Sequence, residues 1–235
     1  FCDGIQTVII DEVHMAKADV LKRLLTGPFA HCGIRWGLTG TVPKADYEFM
    51  GLKCSIGEVA NRIQASELQD KGVLANCHVN VLQTQDHPQF KTYSEELKWL
   101  TTDTTRMTWV ANTIKDIATS GNTLILVDRI SAGELLEKQI KNSVFVSGST
   151  KNMERKEQYD EISTATNKVI IATYGVAAVG INIPRIFNLV LIEPGKSFVR
   201  VIQSIGRGIR KAEDKDSVQI WDITSSCKFA KRHLG

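Results

Sequence analysis

Leu124-Ile125-Leu126-Val127 is an unbroken apolar run, followed by the charged pair Asp128-Arg129 and then by helical character from Ser131 to Ile140. A strand with one face in water would carry a polar residue at every second position, so a continuous run indicates a strand covered on both faces. The device recurs downstream in Val144-Phe145-Val146, Val169-Ile170-Ile171-Ala172, Leu189-Val190-Leu191-Ile192 and Val218-Gln219-Ile220-Trp221. Upstream, Val8-Ile9-Ile10 reads as a buried strand ending in Asp11-Glu12. Helical segments lie between the runs. Ser131-x-x-Glu134 reads as a capping box that opens a helix through Leu135, Leu136 and Ile140. Ser66-x-x-Gln69 reads as another, opening a short helix that Gly72 closes. Alternation of continuous apolar strands with helices predicts an α/β fold built on a parallel sheet.

The 235 residues admit one large or two small domains. Gln83-Thr84-Gln85-Asp86-His87-Pro88-Gln89 is polar, holds a proline and has no periodicity, which places a boundary there and gives units 1–82 and 83–235. The first is too short for a complete nucleotide-binding α/β domain; the second is long enough. A chain 43% hydrophobic and 23% charged is neither disordered, collagenous nor coiled coil. No apolar run approaches the roughly 18 residues of a membrane span, and Phe1-Cys2-Asp3-Gly4 has no signal-peptide character. Position 1 is not Met, so a piece of a longer protein is expected. The net charge of +3 permits a polyanionic partner without demanding one. Five scattered cysteines with no C-x-x-C spacing favour reduced thiols over a zinc site or a disulfide framework, and point to the cytoplasm.

Asp11-Glu12-Val13-His14 follows the first apolar run directly. Carboxylates at the C-terminal end of a strand lie where open α/β sheets bind ligands. One can hold Mg²⁺ through water, and its neighbour can deprotonate an attacking water in phosphoryl transfer. Read alone, the four residues are equally two solvated acids in a turn. Gln203, Arg207 and Arg210 stand at i, i+4 and i+7, on one face of a helix, with Ile202, Ile205 and Ile209 opposite. Gly206 and Gly208 each cost such a helix about 1 kcal/mol relative to Ala, a sign of close backbone approach or an early helix end. Guanidinium forks match phosphate oxygens, so the face reads as a phosphate-reading device, with a solvated basic face as the plain alternative. Thr39-Gly40-Thr41, and the run from Ala172-Thr173-Tyr174-Gly175 to Gly180-Ile181-Asn182-Ile183-Pro184, set hydroxyls and glycines at strand ends. Backbone N–H and hydroxyl donors there can meet phosphate, though each run alone is also common loop chemistry.

Taken in order, D-E-V-H, T-G-T, A-T-x-G…G-I-N-I-P and Q-x-x-G-R-x-x-R resemble motifs II, III, V and VI of superfamily-two DExH helicases, over nearly the whole chain. Gly57-Glu58-Val59 to Asp70-Lys71-Gly72-Val73-Leu74 looks like the end of the first motor domain of that group. Phe145-Val146-Ser147-Gly148-Ser149-Thr150 with Arg155, followed by Ala172-Thr173-Tyr174-Gly175-Val176, is most similar to the phage UvsW recombination and repair helicases; XPB-type and restriction-enzyme motors are more distant. The resemblance implies tandem RecA-like parallel-sheet motor domains, the first incomplete at its N-terminus. It implies Mg²⁺ held by Asp11 through water, Glu12 as catalytic base, and His14 and Gln203 linking the two domains near the nucleotide. Thr39, Gly40 and Thr41 would couple the nucleotide state to strand movement. Ser149, Thr150 and Thr173 would touch the nucleic-acid backbone, and Gly180 and Asn182 would lie near the nucleotide. Arg207 and Arg210 would reach the γ-phosphate, Arg210 as the arginine finger. Position 182 holds Asn where relatives often hold Asp.

No G-x-x-x-x-G-K-[ST] loop, the cradle for ATP phosphates, occurs in the 235 residues. Gly195-Lys196-Ser197 imitates its end, but Val190 stands where the first glycine belongs. The expectation is therefore a portion of an ATP- and Mg-dependent DNA helicase or translocase that remodels branched DNA in replication, recombination or repair. Its partner would be single-stranded or branched DNA, with no membrane, in the host cytoplasm if the gene is a phage's. RNA helicase, restriction-type DNA translocase and non-catalytic nucleic-acid-binding remnant are the alternatives. Oligomeric state is not legible in the sequence.

Overall fold

The computed structural model describes residues 2–15, 18–43, 46–148, 150, 157, 160–161, 164–180, 183, 185–193 and 214–233. The chain forms two compact units, 1–64 and 65–235.

In the first unit, β1 (Thr7–Ile10) and β2 (Ile34–Gly37) pair in parallel, Thr7 opposite Ile34 and Ile10 opposite Gly37. Between them runs α1 (Ala18–Thr26), and α2 (Asp46–Ser55) follows β2. Leu21 and Leu25, one turn apart on α1, pack with Val13 against Val8, Ile10, Phe29, Leu52 and Ile56. Successive strand side chains point to opposite faces, so Val8 and Ile10 enter this core while Ile9 and Trp36 are each 62% exposed. The expectation of a buried strand over Val8-Ile9-Ile10 is corrected accordingly: one face is covered and one is open.

Among its described residues, the second unit is built on a six-stranded, wholly parallel sheet of β3 (Asn76–Thr84), β4 (Thr123–Val127), β5 (Ser143–Val146), β6 (Val169–Thr173), β7 (Asn188–Ile192) and β8 (Ser217–Ser225) in the order β3-β8-β7-β4-β6-β5. The central strands β4 and β7 are buried at every position. Their alternate residues feed two cores. Ile125, Val127, Val190 and Ile192 meet Met107, Val110 and Ile114 of α5 (Thr104–Ala118) and Leu136 of α6 (Ile130–Gln139). Leu124, Leu126, Leu189 and Leu191 meet Tyr174, Val176 and Ala177 of α7 (Tyr174–Gly180). Burying each such side chain contributes about 1.5–3 kcal/mol, which is what holds the sheet between its helices.

The division expected at residues 82/83 falls inside β3, which pairs with β8 over nine positions, and the units part at 64/65. β3 is an edge strand with no continuous apolar run, and the polar residues after it are engaged. The Thr84 hydroxyl donates to Asp86 Oδ2, and the Asp86 N–H donates to Ser226 Oγ. Two helix starts also differ. α6 begins at Ile130 with Arg129 as N-cap and no side-chain capping bond, and α3 (Ala65–Asp70) begins one residue before Ser66. The end of α3 is as expected: Gly72 has φ 67°, and the N–H groups of Gly72 and Val73 donate to the carbonyls of Gln69 and Leu68, both at 2.8 Å. The capping box that does form opens α4 (Tyr93–Thr102), between Thr92 and Glu95.

Candidate functional site

Two backbone bonds carry the pairing of β1 and β2 past the strand ends. The Leu38 N–H donates to the Ile10 carbonyl at 2.8 Å, and the Val13 N–H to the Leu38 carbonyl at 3.0 Å. The loop Asp11–His14 is thereby held beside Thr39–Thr41, at the C-terminal edge where α/β sheets bind ligands. Gly37 permits the approach, because a Cβ there would stand 3.1 Å from Val13 Cγ1 and 3.0 Å from Ile56 Cδ1.

Asp11 Oδ1 accepts from the Glu12 N–H at 2.8 Å, closing a turn in which Glu12 adopts φ 49°. A left-handed non-glycine residue is costly, by roughly 1–2 kcal/mol, and such costs gather at functional loops. Both carboxylates face solvent. Mg²⁺ commonly takes one or two carboxylates and fills its other positions with water and substrate phosphates. Asp11, with Oδ2 uncommitted, fits that role, and the described residues offer no group of three or more ligating side chains for a closed metal cage.

His14 is held from two sides. Its Nδ1 lies 2.7 Å from Thr39 Oγ1 and 3.4 Å from Glu12 Oε2, and its side chain is 5% exposed. The Thr39 hydroxyl donates to the Thr41 carbonyl and accepts from the Thr41 N–H, so its contact with His14 is as acceptor. This assigns a proton to Nδ1. Nε2 is then buried with no partner among the described residues, as is Thr41 Oγ1. Glu12, His14, Thr39 and Thr41 form a single chain of polar contacts from an exposed carboxylate to the loop after β2.

In the second unit, Thr173 ends β6, and Thr150 follows β5, its Oγ1 accepting from the Ser147 N–H at 3.1 Å. Val146 and Ala172 are register partners, so these two loops leave the sheet side by side. Gly180 is the last residue of α7. Ser149, Asn182, Gln203, Arg207 and Arg210 lie outside the described residues, as do Gly195-Lys196-Ser197 and Ile202, Ile205 and Ile209.

Sequence reading missed a buried ionic centre in this unit. The Arg106 side chain, 3% exposed, donates from Nε to Asp86 Oδ2 at 3.3 Å, from Nη2 to Glu193 Oε1 at 2.7 Å, and from Nη1 to the Leu100 carbonyl. Burial alone would raise the Asp86 carboxyl, but the hydroxyls of Thr84 and Ser225 and the Arg106 guanidinium outweigh it and hold it below the usual range. Burial pushes Glu193 up to about 7 against the pull of Arg106, with Asp222, Glu96 and Asp86 adding to the rise. Burial also raises Asp222, to about 6. The one local signal was the N-cap Asp103, which accepts from the Arg106 N–H.

Residues 105–212 match the helicase conserved C-terminal domain. The chain is 27% identical over 227 residues to the ATP-dependent DNA helicase UvsW of Enterobacteria phage T4, covering 92% of this chain and 45% of that protein. It is 28% identical over 219 residues to the XPB helicase/translocase subunit of transcription and DNA repair factor IIH from Drosophila melanogaster, covering 86% of this chain and 26% of that one. The chain thus spans less than half the length of these relatives. The crystal structure of T4 UvsW superposes over 95% of this chain and 46% of its own, with TM-score 0.55 and 23% identity. A fragment assigned as the HsdR subunit of a type I restriction enzyme from Vibrio vulnificus does so over 94% of this chain and 44% of its own, with TM-score 0.73 and 19% identity. The α/β parallel-sheet fold is therefore that of the RecA-like helicase structures.

Proposed function

With the helicase conserved C-terminal domain present over residues 105–212, we propose that this chain is part of an ATP-driven motor that moves on DNA. The observation that carries the reading is the polar chain from Glu12 through His14 and Thr39 to Thr41 at the strand ends of the first unit. Asp11 would hold Mg²⁺ through water, and the ion when bound would neutralise phosphate charge. Glu12, exposed and fixed in its turn, takes the proton of the attacking water. His14 steadies that carboxylate, and Thr39 passes any change at Glu12 to the loop of Gly40 and Thr41. Nε2 of His14 has one more bond to offer. Gln203, Arg207 and Arg210 supply the amide and guanidinium groups for the nucleotide and its γ-phosphate, Gly180 and Asn182 lie near it, and Ser149, Thr150 and Thr173 hold the DNA backbone. DNA is preferred over RNA because UvsW is named a DNA helicase, and remodelling of branched DNA in recombination or repair is the corresponding task.

The test is phosphate release with and without DNA. These 235 residues contain no lysine-bearing phosphate loop, and phosphoryl transfer depends on positioning and charge, so turnover near background is expected from them alone. A polypeptide extended upstream to such a loop should show DNA-stimulated hydrolysis. Glu12→Gln and Arg210→Ala should each lower it by at least about 10²-fold, the arginine change with ATP binding retained. Undiminished hydrolysis in Glu12→Gln would overturn the base assignment.

A further inference from the structure

The end of β3, the last turn of α4 and the first turns of α5 border an open groove of about 530 Å³ that none of the motifs uses. Trp99, half-buried against Phe90, and Trp109, 44% exposed, present indole rings to it. Asp86 and Asp103 also line it. Asp86 commits Oδ2 to the donors Thr84, Ser225 and Arg106, and its Oδ1 accepts from no described residue. Asp103 commits Oδ1 to the Arg106 N–H and leaves Oδ2 uncommitted. The one cation in the lining, Arg106, has Nε, Nη1 and Nη2 all engaged by protein acceptors. The groove therefore offers aromatic faces and unused carboxylate oxygens, and no free positive charge.

We propose that this groove docks an arginine side chain presented by an exposed segment of a protein partner. A guanidinium is planar, stacks on indole and donates in parallel to carboxylate oxygens, which an ammonium does less well. Nucleic acid is the poorer occupant, because its phosphates would approach two carboxylates. The volume lies within the range of small-ligand pockets, about 300–1,000 Å³.

The test is an anisotropy titration of the 235-residue chain against a fluorescein-labelled peptide with one arginine flanked by glycines. The same peptide with citrulline, isosteric and uncharged, is the control. The arginine peptide should bind at least about tenfold more tightly than the citrulline peptide. Asp103→Asn keeps an N-cap acceptor while removing the charge, and Trp109→Ala removes an exposed ring, so both should fold as the parent does. Each should weaken the arginine peptide by about three- to tenfold. Equal binding of the citrulline peptide, or arginine binding indifferent to both substitutions, would overturn the proposal. So would a single-stranded oligonucleotide that displaces the peptide and itself depends on Trp109, which would give the groove to nucleic acid.

Discussion

At the scale of single residues, the site rests on one hydroxyl. Thr39 Oγ1 is the only described partner of His14 besides Glu12, and it spends its own proton on the Thr41 carbonyl. Removing it leaves His14 Nδ1 to the more distant carboxylate, at 3.4 Å, and frees the loop of Gly40 and Thr41 from the turn at Glu12. A lost hydrogen bond of this kind is worth about 1 kcal/mol, more where the remaining partner is buried. Thr39→Val, in the polypeptide extended to a phosphate loop, should therefore reduce the stimulation of ATP hydrolysis by DNA by about tenfold. Nucleotide binding should be unchanged, and Thr39→Ser should restore the stimulation. Equal stimulation in Thr39→Val and the parent would show that the hydroxyl does not couple the two loops. The types and order of Asp11, Glu12, His14 and Thr39 were legible in the sequence, because each chemistry needs a particular side chain near a strand end. The buried Nε2 of His14, with no partner among the described residues, was not, since no spacing rule announces such an atom. Nor was Arg106: its partners Asp86 and Glu193 lie 20 and 87 residues away and meet it only through the order of the strands.

Elements were legible in proportion to how much of each one is buried. β4, β6 and β7 announced themselves as continuous apolar runs because helices cover both faces of the sheet at its centre. β2 and β3 did not, since each has a face or an edge in solvent and a mixed sequence to match. The starts of α3 and α6 fall two residues ahead of those the expected serine caps set, at Ala65 and Ile130, because serine is as comfortable in the first turn as at the cap. The capping box at Thr92 lies on exposed chain, where local hydrogen bonding is left to decide. Turns between elements carry their own constraint, and Gly121, between α5 and β4, is the clearest. It has φ 145°, a region closed to side chains, and a Cβ there would lie 2.9 Å from the Phe187 Cβ. Gly121→Ala should therefore destabilise the second unit by about 1–3 kcal/mol, read as a lowered midpoint in chemical denaturation with the slope unchanged. A midpoint equal to the parent's would mean that the turn relaxes without loss.

At the scale of the whole chain, the second unit holds Asp86 and Glu193 on the Arg106 guanidinium, with Asp222 acting on Glu193, and the balance of these acids sets how its stability depends on pH. Glu193, raised from 4.5 to about 7, and Asp222, raised from 3.8 to about 6, bind protons more tightly folded than unfolded. Between the unfolded and folded values the native state holds the extra protons, so stability falls as pH rises. The contribution is fully present below about pH 4 and is lost progressively up to about pH 7. Asp86 works in the opposite sense: its carboxyl is held down, so its contribution is present above the ordinary aspartate value and is lost in acid. Lys215, lowered by burial to about 8, matters only above that pH, where stability rises again. The net expectation is a maximum near pH 4–5 and a decline to pH 8. In thermal denaturation, the midpoint should drop by at least about 5 °C between pH 5 and pH 8, since each pKa unit is worth about 1.4 kcal/mol. Asp222→Asn should flatten the part of the decline below about pH 6, because its Oδ1 is buried with no hydrogen-bond partner among the described residues and only its charge is sensitive to pH. Glu193→Gln keeps an acceptor for Arg106 and should flatten the part up to about pH 7. With both substitutions the midpoint should be level from pH 5 to pH 8. A parent midpoint that rises over that range, or a double variant with the parent's slope, would show that Glu193 and Asp222 stay ionised in the folded chain and that burial does not dominate at this centre.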